Sequence, residues 1–376
     1  MMLVLLAVVG VATSLPPWGR AAARTALLLP ELVMGTQNGA FDLIGDQVRH
    51  SSLTIQADFG PVFLDVYAPA AGAAPVRGAR GGLLVIPGVG DNRQVPQLIN
   101  LSQSLARAGE VVMEMTTPTL IAYDLAPSDT DAVVAAYEAL AHWPGVDPSR
   151  VGIVGISGGG PLGCLAAADP RIRDRLAFVT SFGGFFDAED YLRDIGRRAQ
   201  VVNGRLVAWP VQAVPLEVLA NVLEPYLPYP DGVRLVDAFA FEGASPLTSE
   251  DVANLTPEGQ AAYHLLAGDD RANVDANIVA LPADGRALLA ALSPRGVLGE
   301  MRAPVYLLHD RGDTSIPYAE ALDFAAALAR TRHAYDFASF SIFDHVQVRP
   351  DLGLGPLLGD GSELGRVLYE QILVGS

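Results

Sequence analysis

The segment Gly155-Ile156-Ser157-Gly158-Gly159 sets one serine between glycines, directly after the apolar run Val151 to Ile156. A serine hydroxyl attacks a carbonyl usefully only when it is held clear of the backbone beside a base. A sharp strand-to-helix turn does that holding, and small neighbours are needed because a Cβ on either side would clash in the turn. The same five residues could also be a glycine-rich loop that only closes a strand–helix unit, so the reading depends on partners elsewhere.

For a serine in this frame the acid and the histidine follow in that chain order. The run Val305 to Leu308 leads into His309-Asp310-Arg311-Gly312-Asp313-Thr314-Ser315-Ile316-Pro317, and one helix and one strand later comes Phe343-Asp344-His345-Val346. One strand-helix-strand step returns the chain to the same edge of a sheet, so His345 can stand between Asp313 and Ser157. The histidine would take the serine proton and deliver it to the leaving group, while the aspartate fixes its tautomer. Asp310 competes with Asp313 but follows the strand where the backbone is still turning, so Asp313 is preferred. His309 precedes the acid and His333 begins a strand; both read as structural, and Asp344 reads as a surface neighbour. Two backbone N–H groups should face the developing oxyanion. Gly158 supplies one, and Val89, in Ile86-Pro87-Gly88-Val89-Gly90, supplies the other.

These residues must be carried by alternating strands and helices. Ser51 to Ile55 and Val62 to Tyr67 read as strands around Phe59-Gly60-Pro61, and 68–81 as a loop. Strands then follow at Leu83 to Ile86, Val111 to Met115, Val151 to Ile156 and Ala177 to Phe182, with helices at Val95 to Ala108, Thr130 to His142 and after Ser157. Apolar runs without polar alternation predict parallel strands buried on both faces. The rhythm resumes at Val305 to Leu308, a helix over Tyr318 to Ala329, a strand near Tyr335 to Ile342 and a helix over Glu363 to Leu373. Between 188 and 294 it breaks, with helical stretches at Leu216 to Leu223, Pro257 to Leu266 and Arg286 to Leu292. A structureless loop of that length is not expected in a compact domain, so a helical cap is predicted. Its Leu206 and Trp209 are assigned to a substrate pocket. The expected organisation is an apolar segment over 1–24, a core over 45–187 and 295–376, and the cap between them.

Composition narrows the chemistry further. The chain has 376 residues, half of them hydrophobic, and a net charge of −17. It contains no lysine, which excludes a Schiff base and a P-loop lysine. An acidic surface argues against nucleic-acid binding. Cys164 is the only cysteine, so no intrachain disulfide or cysteine-based zinc site can form, and it reads as a core residue. The six histidines hold no i, i+4 pair. Residues 1–15 are almost wholly apolar, short of the ~20 a spanning helix needs. Arg20 and Arg24 follow that run, which ranks membrane anchoring ahead of export, with a helix packed on the protein's own surface as the alternative.

Taken together, Gly155 to Gly159, Pro87 to Gly90, His309 to Pro317 and Phe343 to Val346 resemble the α/β-hydrolase superfamily, in particular its dienelactone hydrolase-like and esterase-like bacterial branch. The resemblance spans roughly 51–185 and 294–373. It implies an α/β-hydrolase fold, a mostly parallel doubly wound sheet with a helical cap insertion. It also implies hydrolysis of a small carboxylic ester, thioester or amide through an acyl-serine, with no cofactor or metal. Two departures stand out: Pro87-Gly88 and His309-Asp310 replace the family's frequent His-Gly pairs. Cys164 is not at the nucleophile position, which disfavours a strict dienelactone hydrolase. Gly158 to Gly163 also matches the dinucleotide pattern G-x-G-x-x-G, but no carboxylate stands at Phe178 to Phe182, where that reading needs one. A non-catalytic binding protein of the same fold is the remaining alternative.

Overall fold

The computed structural model describes residues 16–34, 47–70, 79–349 and 354–375. The apolar run over 1–15 and residues 71–78, within the stretch expected to be a loop, lie outside them. Twelve strands are seen in these residues: β1 (Val48–Ala57), β2 (Gly60–Pro69), β3 (Arg80–Ile86), β4 (Val111–Thr116), β5 (Val146–Ile156), β6 (Phe178–Phe182), β7 (Ala199–Val202), β8 (Arg205–Ala208), β9 (Val305–Asp310), β10 (Tyr335–Phe340), β11 (Phe343–Asp344) and β12 (Gln347–Val348). Eight form one sheet in the order β1-β2-β4-β3-β5-β6-β9-β10. β1, β2 and β4 pair antiparallel, and every other neighbour in the sheet is parallel. All residues of β4 and β9 are buried, whereas β1, at the edge, alternates between faces. Burial on both faces is what the uninterrupted apolar runs predict.

Helices cover both sides. Pro127–Ala141, Gly159–Ala168 and Tyr318–Thr331 share the largest core cluster, while Pro17–Met34, Pro96–Arg107 and Leu354–Gly375 pack on the opposite face. The helix Pro17–Met34 rests on that face through Ala21 and Leu28, both fully buried. No helix among the described residues is long and apolar enough to cross a membrane.

β3 has β4 on one side and β5 on the other. The connections leave in opposite directions there, and ligands of such sheets bind beyond the strands' carboxyl ends at such a point. Pro87 to Gly90 follow β3 and Ser157 follows β5, so the two predicted parts meet at this switch point.

Between β6 and β9 the chain is mainly helical, with helices such as Ala188–Arg197, Ala213–Leu223 and Pro257–Ala267. It also contains the hairpin β7–β8, which the sequence did not announce. All four residues of β8 are exposed, so the hairpin carries no apolar alternation to read. Leu219, Leu223 and Trp209 of this insertion belong to the same core cluster as the sheet.

Candidate active site

β5 ends at Ile156, and the helix Gly159–Ala168 begins three residues later. Ser157 occupies the turn with φ +55, left-handed backbone that side-chain-bearing residues seldom adopt. Its N–H donates to Phe182 O at 2.8 Å, and its carbonyl accepts Gly160 N at 2.9 Å. The flanking glycines are steric necessities. A Cβ on Gly155 would lie 2.1 Å from Gly159 O, and one on Gly159 would lie 2.2 Å from Ile86 O. The elbow therefore closes only with both positions bare.

His345 turns the two-residue hairpin β11–β12 and also has left-handed backbone, φ +56. Its Nδ1 lies 2.7 Å from Asp313 Oδ2. Asp313 is 1% exposed, and its other oxygen accepts the N–H groups of Ser315 at 2.7 Å and Ile316 at 2.9 Å. Burial alone would raise the Asp313 pKa, but the charge and hydrogen bond of His345 outweigh it and hold it below the usual value. An ionised Asp313 can only accept, so Nδ1 carries the hydrogen and Nε2 is the nitrogen left to exchange a proton. The ring lies against Gly183, where an added Cβ would be 3.2 Å from His345 Cε1. Phe182, the residue before Gly183, binds the Ser157 N–H, so one main-chain corner positions both residues. No hydrogen bond joins Ser157 Oγ to His345 in this conformation; such contacts often tighten only with substrate bound.

Asp310 and Asp313 divide the work in this loop. β9 extends through Asp310, whose carboxylate accepts Gly312 N at 2.8 Å and Phe343 N at 2.9 Å, with Arg349 at 3.4 Å. It ties the histidine-bearing loop to the strand and does not reach the ring. His309 is fully buried, with Nε2 3.1 Å from Ile316 O and 3.5 Å from Asp313 Oδ2. Burial lowers its pKa, so a neutral ring presents its one N–H to the loop. Its contact with Asp313 is a feature the sequence reading missed. His333 lies two residues before β10 and bonds Ala303 O at 2.8 Å, and exposed Asp344 accepts from Thr314. Cys164 is fully buried behind the elbow, where burial pushes its thiol up to about 12.

The loop after β3 meets the elbow through Gly88, at φ +88. A Cβ there would lie 2.8 Å from Ile156 O and 3.2 Å from Ser157 Cβ. Asn92 Nδ2 holds the loop by donating to Val89 O at 2.7 Å, and Gly90 N donates to Leu120 O at 2.7 Å. The N–H groups of Val89 and Gly158 donate to none of the described residues. Two unspent amides beside a left-handed serine form an arrangement able to receive a negative oxygen.

The insertion fastens the acid loop. Trp209 Nε1 donates to Asp313 O at 2.7 Å, Gln212 N to Thr314 O at 3.0 Å, and Tyr191 Oη to Ser315 O at 2.7 Å. Gln212 also bonds the side chains of Thr314 and Ser315. Leu206 and Trp209, expected to line a pocket, lie in different settings. Leu206 is 67% exposed on the hairpin, and Trp209 is buried against Tyr191.

No family profile and no curated protein matches the chain. Solved structures do. The structure of Porphyromonas gingivalis dipeptidyl peptidase 4 is similar, with a TM-score of 0.51 and 12% identity over 86% of this chain. The match covers 35% of that protein, so the chain spans about a third of its length. A variant of the esterase rPPE is similar with a TM-score of 0.50 and 16% identity, covering 97% of this chain and 92% of that one. With the strand order above, these likenesses show that the chain has the α/β-hydrolase fold.

Proposed function

We propose that the protein is a serine hydrolase that cleaves a carboxylic ester through an acyl-Ser157 intermediate, with Asp313 and His345 completing the relay. The observation that carries this reading is the 2.7 Å pair between His345 Nδ1 and ionised Asp313, set beside a serine in a glycine-bounded left-handed elbow. Ser157 Oγ attacks the ester carbonyl while its proton passes to His345 Nε2. The new imidazolium is stabilised by Asp313, and the carbonyl oxygen takes its negative charge between Val89 N and Gly158 N. Collapse breaks the bond to the alkoxy oxygen, which leaves with the proton from His345. Water, deprotonated by the same ring, then attacks the acyl-serine and releases the acid, restoring Ser157. Every step uses groups of this chain.

The test is labelling with a fluorophosphonate probe alongside hydrolysis of p-nitrophenyl acetate. Wild-type protein should do both, and Ser157→Ala should do neither while keeping its thermal midpoint. Undiminished turnover in Ser157→Ala removes the mechanism. Cleavage of an alanyl p-nitroanilide without cleavage of the ester would move the substrate class to amides. Folded wild-type protein inert to probe and substrates alike would favour a binding protein.

A further inference from the structure

Six non-glycine residues among those described have left-handed backbone. Arg198 and Arg332 close the helices Ala188–Arg197 and Tyr318–Thr331, and Asn203 turns the β7–β8 hairpin. Ser157 and His345 are the proposed nucleophile and base. The sixth is Tyr123, φ +56, which follows the single helical turn Pro118–Ile121 after β4. Glycine ordinarily fills such a position, so a bulky aromatic there needs an outside restraint and a use.

The restraint comes from the insertion. Asn221 Nδ2 donates to Ala122 O at 3.2 Å and to Tyr123 O at 3.0 Å, gripping two consecutive carbonyls of the strained turn. From the other side, Leu120 O accepts Tyr123 N at 3.1 Å and Gly90 N at 2.7 Å, which joins the turn to the loop carrying Val89.

The use is indicated by the ring's position. Its hydroxyl lies 3.2 Å and its Cζ 3.4 Å from where a Cβ on Gly90 would be. The phenol thus rests on the residue next to Val89, whose N–H is the proposed oxyanion donor. Tyr123 is only partly buried, and its hydroxyl donates to none of the described residues. A phenol held in strained geometry one residue from an oxyanion donor, with its own hydrogen unspent, is arranged for a ligand.

We infer that Tyr123 is a substrate-contacting residue whose hydroxyl donates a hydrogen bond to an oxygen of the scissile ester, and that Asn221 is the positioning residue that holds it there. This rests on the hydrolase reading above, and the experiment separates the two. Wild-type protein is first labelled with the fluorophosphonate probe; absence of labelling counts against that reading and not against Tyr123 in particular. Tyr123→Phe keeps the ring and removes only the hydroxyl. It should still label to completion and keep its thermal midpoint, because the hydroxyl donates to none of the described residues. Its kcat/KM for p-nitrophenyl acetate should fall about fivefold to tenfold, the size of one neutral hydrogen bond. Wild-type kcat/KM in a labelled, folded Tyr123→Phe overturns the inference. Asn221→Ala should lose a similar factor alone and nothing further in the Tyr123→Phe background, since residues acting through one contact are not additive. Independent, multiplying losses would overturn the role given to Asn221.

Discussion

The Trp209 indole N–H donates to the main-chain carbonyl of Asp313 at 2.7 Å, so a residue of the insertion holds the backbone of the proposed acid. Gln212 and Tyr191 grip the next two residues of the same loop. Carboxylate direction in a triad matters because the histidine acts only when its ring is aimed at the serine. Trp209→Phe keeps the packing against Tyr191 and removes one donor. It should lower kcat about fivefold, the value of one buried hydrogen bond, with KM little changed. Leu206→Ala should leave the acyl-chain-length profile of kcat/KM unaltered, because Leu206 faces solvent. A shifted profile in Leu206→Ala would return that residue to the pocket.

The two acids of the loop should separate in opposite directions. Asp313→Asn removes the acceptor that fixes the His345 tautomer and should cost about 10⁴ in kcat, the loss that follows removal of a triad aspartate. Asp310→Asn loosens the grip on Gly312, Phe343 and Arg349, so its main effect should be on the thermal midpoint. Steady-state rates and melting curves of both variants check this. A larger kcat loss at Asp310 would exchange the assignments.

Gly88→Ala tests the oxyanion loop. The new methyl would stand 2.8 Å from Ile156 O on backbone at φ +88, so the loop must retreat from Ser157 and carry the Val89 amide with it. Losing one oxyanion donor costs about 10² to 10³ in kcat. Turnover should fall by about that much while the probe still reacts slowly. Wild-type turnover would mean that the oxyanion is received elsewhere.

Stability should fall as pH rises from 5 to 8. Burial pushes the carboxyls of Glu110, Glu114 and Asp194 each up to about 7, against about 4 in an unfolded chain. Between those values the folded protein binds more protons than the unfolded one, so each unit of rising pH favours unfolding until the groups have ionised. Asp313 has the opposite sign. Its lowered pKa contributes stability above the unfolded value, and that contribution disappears only as pH falls below about 4. The thermal midpoint should therefore peak near pH 5, and Glu114→Gln should flatten the decline towards pH 8. A midpoint that climbs from pH 5 to pH 8 would contradict these shifts.

The primary structure alone determined the sheet and the chain order of the proposed triad. Runs such as Val111 to Met115 and Val305 to Leu308 lack polar alternation because both faces of those strands are covered, and that requirement is written residue by residue. The glycines around Ser157 were legible for the same kind of reason. Gly155 meets the main chain of Gly159, four residues on, so its constraint is local, whereas Gly159 meets Ile86 O of the adjacent strand. That Asp313 and not Asp310 meets His345 was also readable, from the distance each stands past its strand. Tertiary structure decided the rest. The grip of Tyr191, Trp209 and Gln212 on the acid loop joins residues up to 124 positions apart. No periodicity encodes a single hydrogen bond across that separation. The hairpin β7–β8 was hidden for a related reason, since β8 buries no side chain and β7 buries only Ala199 and Gln200, too few to leave a pattern in the sequence.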